Sequence, residues 1–394
     1  MISIEEAIKI IKSEIISLES ETCDLTKSCG RILVEDIFAD TDLPPFNRSQ
    51  MDGFAVKSDD LKNAPTKLKI IGESIAGKRF EGELQTGETV RIMTGAALTS
   101  GADSVQRVEL TKSKDEFVEV FEPTKLGQFI VNRGSEIKKS EKVFEQGEII
   151  TENMLASFAA FGYAKVKVSK RPTVSILTTG SEIIPVNETP KQDEIRDSNS
   201  IILQSFAGKF AEIVNVKLIK DDLESIKSQI LNQKSQIIIL TGGVSMGDYD
   251  FTKPALRELG AEIFFERVAL RPGKPTVFAK LKNTFIFGLP GNPVSVAVTF
   301  NLFVRTALLI MQNAREIQLK TGFAVISISV KGAVERDSFL PARTSTNEKG
   351  QLIVEPLRWS GSSDFVSFSR SNCLIIIPKG ELFATESVVK IVFI

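Results

Sequence analysis

The chain has 394 residues, 42% of them hydrophobic and 25% charged, a composition that suits a globular protein able to bury several cores. Its 49 Lys and Arg balance 50 Asp and Glu to a net charge of −1, so neither nucleic acid nor anionic lipid is expected as a partner. Histidine is absent, which excludes histidine bases, histidine metal ligands and Ser/Cys-His triads. Acid–base work falls to carboxylates, Lys, Tyr or Cys, and a bound metal is expected to be a hard cation on oxygens.

Cys23, Cys29 and Cys373 make an odd count without a C-x-x-C pair, against a disulfide framework or a zinc knuckle. The N-terminus has no basic segment followed by an apolar run. The most apolar stretch, 285–311, is broken by Gly288, Pro290, Gly291, Pro293 and Arg305 and is too interrupted to span a bilayer. A cytoplasmic protein without a membrane partner is expected.

The first element is a helix. Ser3 and Glu6 form a capping box, and Ile4, Ala7, Ile8, Ile11 and Ile15 follow as a helical stripe. From about 40 to 170, short β-rich runs (67–71, 89–93, 117–121 and 164–168) alternate with turn residues. From Arg171 the pattern is α/β. Strands are expected at 173–177, 213–219, 236–240, 262–266 and 284–287, and helices at 199–210, 223–231, 253–259 and 294–311. This alternation implies a doubly wound parallel sheet. Beyond about 318, β runs return and suggest a small terminal β-domain.

Gly72, Gly77 and Lys78 nearly spell a P-loop, but Arg79 stands where Ser or Thr would hold Mg²⁺, so a turn is expected. Gly243-Val-Ser245-Met-Gly247 fits a nucleophile elbow, yet no histidine exists to activate Ser245. The segment 241–247, with Gly242 and Gly243, is either a glycine loop whose N–H groups cradle a phosphate or a tight strand-to-helix turn. Similar loops follow at Gly180-Ser181-Glu182 and from Gly288 through Pro290, Gly291, Asn292 and Pro293 to Ser295. Asn292 is expected to cap a helix starting at Pro293, leaving N–H groups for an anion. Three such loops on one sheet point to a nucleotide or another phosphorylated ligand.

Carboxylates gather on the strand ends, at Glu182, Asp221, Asp222, Asp248 and Asp250, where Mg²⁺ beside a phosphate is one reading and ordinary turn aspartates another. Arg267, Arg271 and Lys274 make a cationic turn suited to an oxyanion or to plain solvation. The loop 42–56 mixes Pro, Phe and Met with Arg48 and Asp52, an odd content for a connector.

Taken in order, PPFNRSQMDGFAV, RIMTGAAL, NRGSEI, TTGSEI, TGGVSMGDYDFTK, RPGKP and GLPGNPVS resemble the bacterial molybdopterin molybdenumtransferases, similar to the E domain of gephyrin. SGSSD (360–364) extends the likeness toward the C-terminus. The resemblance implies a multidomain α/β and β fold. Residues 1–20 and 171–317 would form the doubly wound molybdopterin-binding domain, 21–41 and 140–170 a linker arm, 42–139 a β-rich arm, and 318–394 a β-barrel-like domain.

It also implies a homodimer that inserts molybdate into adenylylated molybdopterin and releases AMP. A molybdopterin adenylyltransferase would be a partner, and Mg²⁺ a cofactor on Glu182 and Asp221. Asp52, Thr94, Glu182, Asp221 and Asp250 match family positions of catalytic importance. Arg267, Arg271, Ser295, Arg343 and Ser362 are the molybdate candidates, and the three glycine loops, Ser245 included, would hold the pterin and nucleotide. Glu136 replaces a frequent Asp, and Arg267 and Arg271 replace lysines. Two other readings are an adenylyltransferase using ATP and a non-catalytic pterin-binding scaffold. The β-rich segments count against the first, and the intact carboxylates against the second.

Overall fold

The computed structural model describes residues 1–243 and 251–394. The chain divides into two compact units, one formed by Met1–Glu35, Gln146–Leu155 and Lys165–Ile394, the other by Asp36–Glu145 and Ala156–Ala164.

In the larger unit, α1 (Ile4–Glu14) starts at Ser3, whose hydroxyl accepts the Glu6 N–H while the Glu6 carboxylate accepts the Ser3 N–H. Ile4, Ala7, Ile11 and Ile15 are buried, as the stripe requires. A six-stranded sheet follows. Its strands are β1 (Thr173–Thr179), β2 (Glu212–Ile219), β3 (Ile237–Thr241), β4 (Glu262–Phe265), β5 (Val277–Leu281) and β6 (Thr284–Leu289). Their order is β2-β1-β3-β6-β5-β4. The first four are parallel, whereas at one edge β5 runs antiparallel to β6 and β4 antiparallel to β5, so β5 alone is reversed. The sheet is therefore mixed where alternation alone suggested all-parallel strands. The reason is β5, which follows the cationic turn in a stretch where no strand was expected.

Strand β3 is buried throughout and alternates between two cores. Ile237 and Ile239 face α1, α2 (Ser198–Gly208) and the long helix α5 (Pro293–Met311). Ile238 and Leu240 face α3 (Leu223–Leu231) and α4 (Thr252–Glu258). Helices thus cover both faces, because successive strand side chains point to opposite sides. Helix α5 is the one described helix long and apolar enough to cross a membrane, and 83% of it is buried in this core. One π-helical turn, Phe300–Val304, interrupts it.

Five further strands close a barrel. They are β7 (Thr321–Ile326), β8 (Asp337–Thr346), β9 (Leu352–Pro356), β10 (Cys373–Ile377) and β11 (Val388–Phe393), ordered β8-β9-β7-β11-β10 and back to β8. A short strand, Leu270–Arg271, pairs parallel with β8.

The smaller unit holds a six-stranded sheet centred on Gly53–Val56, Glu88–Ile92 and Thr66–Ser74. Residues 54 to 56 alternate as β3 does, Phe54 and Val56 into one core and Ala55 into another. The segment resembling a P-loop is a turn in which Ile75 and Lys78 exchange two backbone hydrogen bonds of 3.0 Å. No helix follows it.

Candidate active site

The order β2-β1-β3-β6 places the chain's change of direction between β1 and β3, and a cleft of about 1810 Å³ opens at the carboxyl ends of these strands. This is where open α/β sheets bind ligands. Gly180, Gly242 and Gly291 bring all three glycine loops to its wall. Gly242 has φ +94°, and a Cβ there would stand 1.9 Å from the Thr179 carbonyl oxygen, so the approach of β3's loop to β1 admits glycine alone.

Glu182 and Asp221 both line the cleft. The Thr179 hydroxyl donates to Asp221 Oδ1 at 2.9 Å. One oxygen of Asp221 is thereby oriented and the other is left available. No third carboxylate or thiol joins them into a metal cluster among the described residues. Two carboxylates lining one cleft still fit Mg²⁺, which keeps waters and substrate phosphate oxygens in its shell.

Pro290, Pro293 and Ser295 also line the cleft, with Ser295 buried. Asn292 occupies the N-cap position of α5 and Pro293 follows at its first turn, but the Asn292 side chain makes no capping bond. Instead its Nδ2 donates to Ser362 Oγ at 2.7 Å, and the Val294 N–H donates to the Ser362 carbonyl at 3.1 Å. The expectation of free N–H groups there is corrected for Val294, because a loop from the barrel side engages it. That contact draws Ser362 into the cleft.

The SGSSD loop is itself anchored. Asp364 accepts bonds from the Ser367 and Ser360 amides and hydroxyls, which hold its carboxyl at about 2, below the ordinary 3.8.

Arg271 and Lys274 line the cleft, and so does Arg336, which sequence reading missed. The pairing of Leu270 with Asp337 sets Arg336 beside the Arg271 strand, and its Nη1 donates to the Leu270 carbonyl at 3.5 Å. No sequence spacing announces two positions 65 residues apart. Arg267 and Arg343 are exposed and do not line the cleft, and Ser181 does not line it either. Arg343 follows the barrel-core residue Ala342 on β8 and so points to the opposite face. Gly288 lies within β6, paired with Leu240 and Val277. Ser245, Asp248 and Asp250 lie outside the described residues.

In the smaller unit, Asp52 and Thr94 form a pair. Asp52 Oδ1 accepts the Thr94 N–H at 2.7 Å and its hydroxyl at 2.8 Å. These bonds, the backbone one foremost, hold the Asp52 carboxyl below its usual range. Glu136 pairs with Arg48 at 3.3 Å.

A doubly wound sheet with glycine loops, carboxylates and cations at its switch point defines a binding domain for phosphorylated ligands. Residues 175–309 match the family described as a probable molybdopterin binding domain. Residues 2–162 match the MoeA N-terminal region (domain I and II), and 324–391 the MoeA C-terminal region (domain IV). The molybdopterin molybdenumtransferase of Haemophilus influenzae is 34% identical over 377 residues, spanning 94% of this chain and 93% of that one. That of Staphylococcus aureus (strain COL) is 34% identical over 388 residues, spanning 96% and 92%. The crystal structure of the molybdopterin biosynthesis MoeA protein of Pyrococcus horikoshii OT3 superposes with a TM-score of 0.84 at 29% identity and covers both chains fully. The chain belongs to the MoeA family of molybdopterin molybdenumtransferases.

Proposed function

We propose that the chain inserts molybdate into adenylylated molybdopterin and releases AMP, completing the molybdenum cofactor. The observation carrying this reading is the convergence of glycine loops, Glu182 and Asp221 with Arg271, Lys274 and Arg336 on one cleft. The substrate is an anionic phosphoanhydride and molybdate is a dianion, so the site must offer both backbone donors and fixed cations. The backbone around Gly180, Gly242 and Gly291 would receive the phosphates. Arg271, Lys274 and Arg336, which make no ion pair among the described residues, would hold the oxyanion together with the hydroxyls of Ser295 and Ser362. Mg²⁺ on Glu182 and Asp221 would supply positive charge against the leaving AMP phosphate. The dithiolene sulfurs belong to the substrate, so the enzyme needs no nucleophile of its own.

The likeness to the family extends this reading to Asp250, Ser245, Arg267, Arg343, Asp52 and Thr94, to a homodimer in the cytoplasm, and to a molybdopterin adenylyltransferase supplying the substrate. The test is AMP release from adenylylated molybdopterin with Mg²⁺, followed by chromatography with and without molybdate. Molybdate-dependent release supports the reading. Pyrophosphate formed from ATP and free molybdopterin, without such release, would replace it with the adenylyltransferase.

A further inference from the structure

Four parallel strands end at the cleft, and side-chain hydrogen bonds join β1 to β2 and β3 to β6, while β1 is linked to β3 through the start of α2. Thr179 at the end of β1 reaches Asp221 beyond β2. Thr178, also on β1, donates at 2.8 Å to Asp197, the buried N-cap of α2, whose other oxygen accepts the Ser200 N–H at 2.9 Å. Asn199, one residue into α2 from Ser198, completes the set. Its Nδ2 donates to the Gly291 carbonyl at 2.6 Å, beyond β6, and to Thr241 Oγ1 at 3.3 Å, at the end of β3. Thr241 Oγ1 in turn donates to the Pro290 carbonyl at 3.0 Å.

The amide orientation of Asn199 follows from these partners. The Gly291 carbonyl can only accept, and the single Thr241 proton is committed to Pro290, so both positions require a donor. Asn199 Oδ1 is buried without a hydrogen-bond partner among the described residues. A buried unpaired acceptor is destabilising, and asparagine is a poor residue for a helix. Asp197 already caps α2, so capping does not account for Asn199. Its NH₂ group is what the fold uses.

We propose that Asn199 is a positioning residue, which ties the glycine loops after β3 and β6 together and, through α2 and Asp197, to β1. It thereby fixes the spacing of the backbone groups around Gly242 and Gly291 that face the substrate phosphates. The proposal rests on the molybdenum-insertion reading for its catalytic consequence, whereas the tie between the loops stands on the hydrogen bonds alone.

The test pairs hydrogen exchange with kinetics in the full-length protein. Asn199→Asp keeps the shape but turns a donor into an acceptor against two acceptors. Asn199→Ala removes the group, and Thr241→Ser keeps the relay hydroxyl and serves as the conservative variant. Both Asn199 variants are expected to speed amide exchange in peptides covering 178–183, 241–243 and 289–293, while the barrel strand β10 exchanges as in the wild type. Molybdate-dependent AMP release should lose roughly 10- to 100-fold in kcat/KM. Thr241→Ser should keep the loop exchange of the wild type. Unchanged loop exchange in Asn199→Ala overturns the tie. Faster exchange with unchanged kinetics overturns the positioning role. If wild-type protein releases no AMP, the functional reading fails, and the exchange data still judge the tie.

Discussion

A methyl group at residue 242 would collide with the Thr179 carbonyl, and at φ +94° it would strain the backbone as well. Gly242→Ala is therefore expected to depress AMP release by about 100-fold or more, since displacing the backbone proposed to hold the phosphates by an ångström would misalign the reaction. Steady-state assays beside a melting curve separate this from unfolding. Asp364 makes a second residue-scale prediction. Its folded pKa of about 2 lies below the ordinary 3.8, so the anchoring it gives is fully present above the ordinary value. That anchoring is lost as pH falls through about 2. Trp359, the chain's only tryptophan, sits at the edge of this loop and lines the cleft. Its fluorescence should shift over that acid window in the wild type, and Asp364→Asn should abolish the dependence. Glu182, Arg271 and Ser362 could be picked out from local motifs, because a glycine or proline stands next to or near each of them in sequence, and Asp221 from its place just after a strand. Asn199 and Arg336 could not. One donates across two strand ends and the other is placed by a parallel pairing, and neither leaves a local pattern.

Elements followed the sequence closely where periodicity was long. Helix α1 begins at its capping box, α3 runs over Leu223–Leu231 as its spacing predicts, and β3 is the buried run its isoleucines suggested. Ser3→Ala removes a capping bond from α1 and should cost about 1 kcal/mol in urea unfolding of the larger unit. Phe278 packs face to face with Phe287, ring centroids 4.8 Å apart, in the same core that α1 covers. Phe278→Ala should cost about 3–5 kcal/mol, read as a lowered denaturation midpoint with little change in m-value. Strand β5 and the π turn in α5 escaped periodicity. β5 follows a Pro- and Gly-rich turn that hides its start, and α5 is buried on nearly every face, so the phase shift at its π turn breaks no visible stripe.

At the scale of the whole chain, the proposed Mg²⁺ has its consequence in solution. Chelation by EDTA should suppress AMP release by at least about tenfold and added Mg²⁺ should restore it, since two carboxylates without their cation would repel the substrate phosphates. Light scattering should give twice the chain mass of 43.3 kDa if the proposed homodimer forms. By itself the sequence determined the class of fold, the family and the three glycine loops that meet at the cleft. Turn residues and buried β runs act within a few residues of one another, and the chemistry of glycine, proline and carboxylate is carried by the residue itself. Tertiary structure alone decided which cations meet those loops. It set Arg336 beside Arg271 through a strand pairing, turned Arg343 to the barrel's outer face, brought Ser362 onto the start of α5, and joined the strand ends through Asn199. Such choices depend on register and on contacts between residues far apart in the chain, where a shift of one residue reverses the face a side chain presents.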